Sequence, residues 1–81
     1  MTKADLLRHI SIDPNVAFGK PCIRGTRIWV GLIVETLSQG ESEAAILAAY
    51  PQLTTEDIHA ALLFAAEMTN QHIVPLDADR A

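Results

Sequence analysis

Apolar and polar positions change their spacing along this chain, and the changes divide it into elements. His9-Ile10-Ser11-Ile12-Asp13 alternates polar with apolar, the period of a half-buried strand, so a short strand is expected near 8–12. Pro14-Asn15 breaks the alternation, and Gly19, Pro21 and Gly25 punctuate the next stretch as an ordered loop. A second extended piece, Thr26-Arg27-Ile28, is a candidate partner for the first strand. From Trp29 the spacing turns helical: Val30, Ile33, Val34 and Leu37 recur three and four apart, and Gly40 stands where a left-handed C-terminal cap belongs. Ser42 suits an N-cap, Ile46, Leu47 and Tyr50 share a face, and Pro51 stops the segment. Thr54 or Thr55 caps a third helix with Glu56 and Asp57 in its first turn, where the positive end of the helix dipole favours carboxylates. The expected helices are 29–39, 42–50 and 55–71, preceded by a strand and loop over 8–28 and followed by an acidic, mobile tail at 74–81.

Three helices with a tight Pro-Gln-Leu link between the last two fit a helix-turn-helix arrangement. The fold class expected is mainly α, a three-helix core with a short N-terminal β-ribbon, in a single domain over 1–81. On the third helix, Ile58, Ala61, Leu62, Ala65 and Thr69 form the expected core stripe. Leu63 and Phe64 then fall about 140° and about 240° away from Ile58. A two-stranded ribbon is marginal in water. Burying Phe64 and joining ribbons would satisfy both defects, so a homodimer or heteromer is expected, with Ile10, Ile12, Leu63 and Phe64 at the interface.

Length and composition narrow the class. With 81 residues, 49% of them apolar, the chain suits one globular domain that buries about 60–65% of its unfolded surface. Cys22 is the single cysteine, which excludes an intrachain disulfide and a thiolate pair for zinc, and points to a reducing cytosol. The N-terminus lacks an apolar signal core and no stretch is long enough to span a bilayer, so the expected location is cytoplasmic. The formal charge of −4 is unevenly spread. Residues 1–30 carry five cations against two carboxylates, net +3, and residues 31–81 carry Arg80 against eight carboxylates, net −7. A polyanion should meet the N-terminal part first.

Candidate chemistry is sparse. Gly19-Lys20 lacks the following Ser or Thr and the upstream glycine of a phosphate-binding loop. Cys22 has no spacing to His9 or His59 that suggests a nucleophile and its base, and reads as a small buried hydrophobe. His9, His59 and His72 are too dispersed for metal ligands. No catalytic residue, metal or cofactor is therefore expected, and the chain reads as a binding module. Lys20, Arg24 and Arg27 stand close together in the glycine-containing loop, and Arg27 beside the Thr26 hydroxyl offers donors for phosphate; the alternative is that they pair with the chain's own acidic helices. In a helix-turn-helix protein the second helix of the motif reads bases with its N-terminal residues. Here those are Thr54, Thr55, Glu56, Asp57 and His59, without a lysine or arginine, which disfavours direct readout and leaves Thr54 and Thr55 as candidate phosphate contacts.

The run Gly19-Lys20-Pro21-Cys22-Ile23-Arg24-Gly25-Thr26-Arg27-Ile28 resembles a bacterial family known as domain of unknown function 433. The likeness continues through Val30, Leu32, the Leu37-Ser38-Gln39-Gly40 helix end, Ile46 to Pro51, and Leu53 to Ile58 with Ala60-Ala61-Leu62, about residues 9 to 72 in all. The resemblance implies a homeodomain-like helix-turn-helix fold and, in several lineages, a VapB-type antitoxin paired with a PIN-like ribonuclease toxin. His59 stands where arginine is frequent, which removes a cation from the recognition helix. Two functions are then expected: an antitoxin that neutralises such a toxin and binds its own operator DNA, or a DNA-binding regulator with no toxin partner.

Overall fold

The structure, a computed structural model, describes residues 2–70. Helix α1 (Lys3–Leu7) leads into strand β1 (Ile10–Ser11), a one-turn 3-10 segment (Ala17–Gly19), strand β2 (Cys22–Ile23) and helices α2 (Val30–Ser38), α3 (Glu43–Ala49) and α4 (Thr55–Asn70). Among the described residues the protein is mainly helical, with four helices, a short antiparallel pair of strands near the N-terminus, and α3 and α4 arranged as a helix-turn-helix pair. The expected helix end at 71 and the tail at 74–81 lie outside the described residues.

The three expected helices form for local reasons. Gly40 (φ 95°) ends α2: its N–H donates to Leu37 O (3.0 Å) and that of Glu41 to Thr36 O (3.3 Å), a Schellman motif. The Ser42 hydroxyl accepts from the Ala45 N–H at 3.0 Å and starts α3. Thr54, rather than Thr55, caps α4 through a reciprocal box. Its hydroxyl accepts from Asp57 N–H (3.2 Å), and its own N–H donates to Asp57 Oδ2 (2.9 Å).

Helix α1 is an addition to the expected elements. Thr2 and Asp5 build a second capping box, with the Asp5 N–H donating to the Thr2 hydroxyl (3.1 Å) and the Thr2 N–H donating to Asp5 Oδ2 (3.2 Å). At five residues the helix is too short to show a period, and it persists by packing on α4, where Lys3 pairs with Glu67 at 3.4 Å.

The ribbon also differs from expectation. β1 pairs with Cys22–Ile23, in the register Ile10 with Ile23 and Ser11 with Cys22, and not with Thr26–Ile28. The reason is a tight turn at Ile23–Thr26, closed by the Thr26 N–H on Ile23 O (2.9 Å), with Gly25 at φ 83° supplying the left-handed position. Thr26 belongs to this turn, Arg27 follows it, and the chain then returns along the other edge of β2. Ile23 N–H donates to Ile28 O and Val30 N–H to Pro21 O, each at 2.9 Å. β2 is thereby central, and Cys22 and Ile23 are both buried.

The core gathers Ile10, Ile23, Ile28, Val30, Ile33, Ile46, Leu53, Ile58, Ala60 and Ala61. On α4 the buried positions are Asp57, Ile58, Ala60 and Ala61, with Phe64 packed against them. The stripe is thus rotated about a quarter of a turn from the expected one. Leu62 and Thr69 are exposed, and Phe64 turns inward rather than opposite the core. Helix α1, unforeseen in the pattern, packs on α4, and Phe64 is half-buried against the core.

One segment is held against its preferences. Ala17 (φ 51°), Phe18 (φ 58°) and Gly19 (φ 84°) are consecutive left-handed residues, a conformation that costs a non-glycine residue about 1–2 kcal/mol. Phe18 stands at its tip, 96% exposed.

Candidate functional site

The turn after β2 brings two arginines to one depression. An open depression of about 860 Å³ runs between Ser11, Asp13, Arg24, Thr26, Arg27 and, from the connection between α3 and α4, Gln52. Three of the residues expected to hold phosphate therefore meet here, and their roles diverge. Arg24 Nε donates to Arg8 O (2.6 Å), and Arg24 Nη2 donates to Ile10 O (2.8 Å). Its backbone N–H donates to His9 O at 2.7 Å. Arg24 is a clip between the turn, the end of α1 and β1, and two faces of its guanidinium fork are already used. The Thr26 hydroxyl donates to Ile23 O (2.8 Å) and accepts from Ile28 N–H (3.0 Å), so it closes the turn instead of offering a free donor.

Arg27 is different. It is exposed, and among the described residues it has neither a carboxylate partner nor a side-chain hydrogen bond. It can turn its full set of donors to an anion beside the Gln52 amide, which also lines the depression and which sequence reasoning missed. Asp13 on the same wall opposes an anion close to it.

Lys20, Thr54 and Thr55 do not line this depression. The Lys20 ammonium sits 3.7 Å from the centre of the Trp29 ring, a cation–π pair at the start of α2. The Thr54 backbone and hydroxyl are both committed to the cap of α4, and Thr55 is exposed in its first turn.

The acidic start of α4 also splits into two roles. Glu56 is exposed, whereas Asp57 is 8% exposed and bonded on both oxygens. Oδ2 takes the Thr54 N–H, and Oδ1 accepts from His9 Nδ1 at 2.7 Å. A carboxylate can only accept, so the imidazole carries its proton on Nδ1. His9 reaches this bond from the link between α1 and β1, and ties the N-terminal segment to the helix-turn-helix core. His59 lies 3.6 Å from Glu43 across α3 and α4. Among the described residues no group of three His, Cys, Asp or Glu could hold a metal ion, and no helix is long and apolar enough to cross a membrane. Cys22 is buried, its thiol donating to Lys20 O at 3.3 Å.

Of the four expected interface residues, Ile10 is a correction in its exposure: at 6% exposed it belongs to the chain's own core. Leu63 and Phe64 are half-buried, and Ile12 is 60% exposed. The apolar side chains that do reach the surface include Phe18, Trp29, Leu62 and Met68.

A family described as "Protein of unknown function (DUF433)" matches residues 10–65. The fold is similar to the crystal structure of a DUF433 member protein from Anabaena variabilis ATCC 29413, with a TM-score of 0.73 and 38% identity over 84% of this chain and 68% of that one. No curated protein matches.

Proposed function

The chain belongs to the DUF433 family, and from that premise we propose that it is an antitoxin-like binding protein that neutralises a PIN-like ribonuclease toxin. The observation that carries this reading is the charge of the helices. Glu35, Glu43, Glu56, Asp57 and Glu67 lie on α2, α3 and α4, and those three helices contain no lysine or arginine. A ribonuclease has to hold an RNA backbone and therefore presents a cationic groove. Exposed carboxylates such as Glu35 and Glu56 compete with RNA for such a groove through complementary charge, while Leu62 and Met68 add apolar area to the same helix system. Asp57 takes no part, because its charge is spent internally. Co-expression with a PIN-domain ribonuclease of the same genome, followed by affinity capture and an RNA-cleavage assay, tests the reading. The expected result is a salt-sensitive complex with suppressed cleavage, lost in the E35K/E56K variant. A nuclease that is left fully active, or capture indifferent to charge reversal, refutes it.

Arg27 favours a second activity on another part of the surface. Exposed, unpaired among the described residues and lining the same depression as Gln52, it suits a phosphate of operator DNA approached by the turn rather than by α4. Filter retention of duplex DNA should fall with R27A, and the slope of log affinity against log salt should flatten by about one unit. Equal retention and slope for the two proteins would discard DNA binding at this turn.

A further inference from the structure

The strained turn at Ala17–Gly19 holds a phenyl ring in water, and the antitoxin reading does not use it. Strain of this kind persists where the surrounding chain enforces it, and it clusters at ligand clamps and switch regions. Beside the turn lies a hollow of about 530 Å³ whose apolar wall is formed by Leu7, Ile10, Ile12, Pro14 and Phe64, with Asp13 and Arg24 also lining it. The hollow is large enough to receive an aromatic side chain. Knob and hollow share one loop, since Ile12, Asp13 and Pro14 precede Phe18 by a few residues. They are also side by side in space: a Cβ placed on Gly19 would stand 3.8 Å from the Cα of Pro14. Phe18 does not fill the hollow of its own chain, because it is 96% exposed.

We infer that the occupant of this hollow is Phe18 of a second copy, inserted reciprocally about a two-fold axis that passes the 12–20 loop. The placement of the two features selects a second copy. A self-complementary patch needs each element and its receptor on the same surface, and adjacent knob and hollow meet that condition. Ile12, 60% exposed at the mouth of the hollow, is covered by the same contact. A buried aromatic contributes about 150–250 Å², so two of them supply a substantial part of the roughly 1,200 Å² at the small end of stable interfaces. A rigid aromatic seated in a pocket is also the usual form of an interface hot spot.

Sedimentation equilibrium of the full chain tests this with two variants at exposed positions, F18A and I12E, each checked for unchanged helical circular dichroism. The wild type should dimerise at micromolar concentrations, and each variant should weaken dimerisation at least about tenfold. Mixing the variants is the sharper arm: in the mixed dimer the intact Phe18 of I12E meets the intact hollow of F18A, so it should form more tightly than either variant alone. A wild type that stays monomeric, an F18A protein that dimerises as well as wild type, or a mixture no tighter than its components overturns the proposal. If F18A instead retains self-association and loses capture of the ribonuclease, the knob serves that protein and a second copy is excluded as its occupant.

Discussion

Replacing Asp57 by alanine tests the claim that this carboxylate holds the fold together and is not a surface charge. The substitution removes two hydrogen bonds at once, from Thr54 N–H at 2.9 Å and from His9 Nδ1 at 2.7 Å. Loss of the Asp57 half of the capping box costs about 1 kcal/mol, and loss of a bond to a charged group in a partly buried place costs about 1.5–3 kcal/mol. The expected destabilisation is therefore about 2.5–4 kcal/mol. A domain of this size has a total of roughly 4–10 kcal/mol, so D57A should melt about 10–30 °C lower. Glu56 is the control, one residue away in sequence and exposed; E56A should cost at most about 0.3–1 kcal/mol through the helix dipole. Urea unfolding followed by circular dichroism gives both values. A cycle with H9A separates the two bonds, and the coupling between positions 9 and 57 should exceed about 0.5 kcal/mol. If D57A and E56A unfold within about 0.5 kcal/mol of each other, or if positions 9 and 57 are additive, the link between the N-terminal segment and α4 does not exist in solution.

Single contacts set further expectations. R24K cannot span the carbonyls of Arg8 and Ile10 with one ammonium, and should cost about 1–2 kcal/mol in urea unfolding; a variant as stable as wild type removes the clip. G31A, at an exposed α2 position with open space where a Cβ would go, should raise stability by about 0.5–1 kcal/mol in the same assay. The same change at Gly25 (φ 83°) should lower stability by about 1 kcal/mol despite equally open space, because only the backbone conformation differs. Equal effects at the two glycines would contradict that account.

The chemistry legible in the sequence is confined to a few neighbouring residues. Gly40, Ser42 and Thr54 mark helix ends through bonds that span three to five positions, and such signals survive without knowledge of the fold. Helix α1 escapes because five residues cannot display a period, and that omission propagates. Without α1, one of the elements that packs on α4 is missing from the reading, and the larger Leu62 takes the core place that belongs to Ala60, which is fully buried. The pairing of β1 also escapes, because Cys22–Ile23 shows no alternation: β2 is covered on both sides and both residues are apolar. His9 and Asp57 lie 48 positions apart; the single local hint is the Thr54-x-x-Asp57 capping pattern, which already turns that carboxylate toward the helix start.

The ten-residue run from Gly19 to Ile28 illustrates why a basic cluster in a sequence is a poor guide to a basic site. Cys22, Ile23 and Ile28 are buried. Pro21 lends its carbonyl to Val30, Gly25 supplies the left-handed turn position, and Thr26 closes that turn with its hydroxyl. Arg24, one of the three cations expected to hold phosphate, is occupied by two carbonyls of its own chain. A carbonyl at the end of a short helix such as α1 needs a donor, and the guanidinium provides one to Arg8 O while its other arm secures Ile10 O in β1. Lys20 and Arg27 are then the cations of the run with no duty to the backbone, one stacked on Trp29 and the other facing solvent. Neutralising all three cations together would lower DNA retention whether the cause were lost charge or a loosened turn. Comparison of R27A with R24A separates the causes: the first should change binding at constant stability, and the second should change stability first, with binding lost only as far as the turn unfolds.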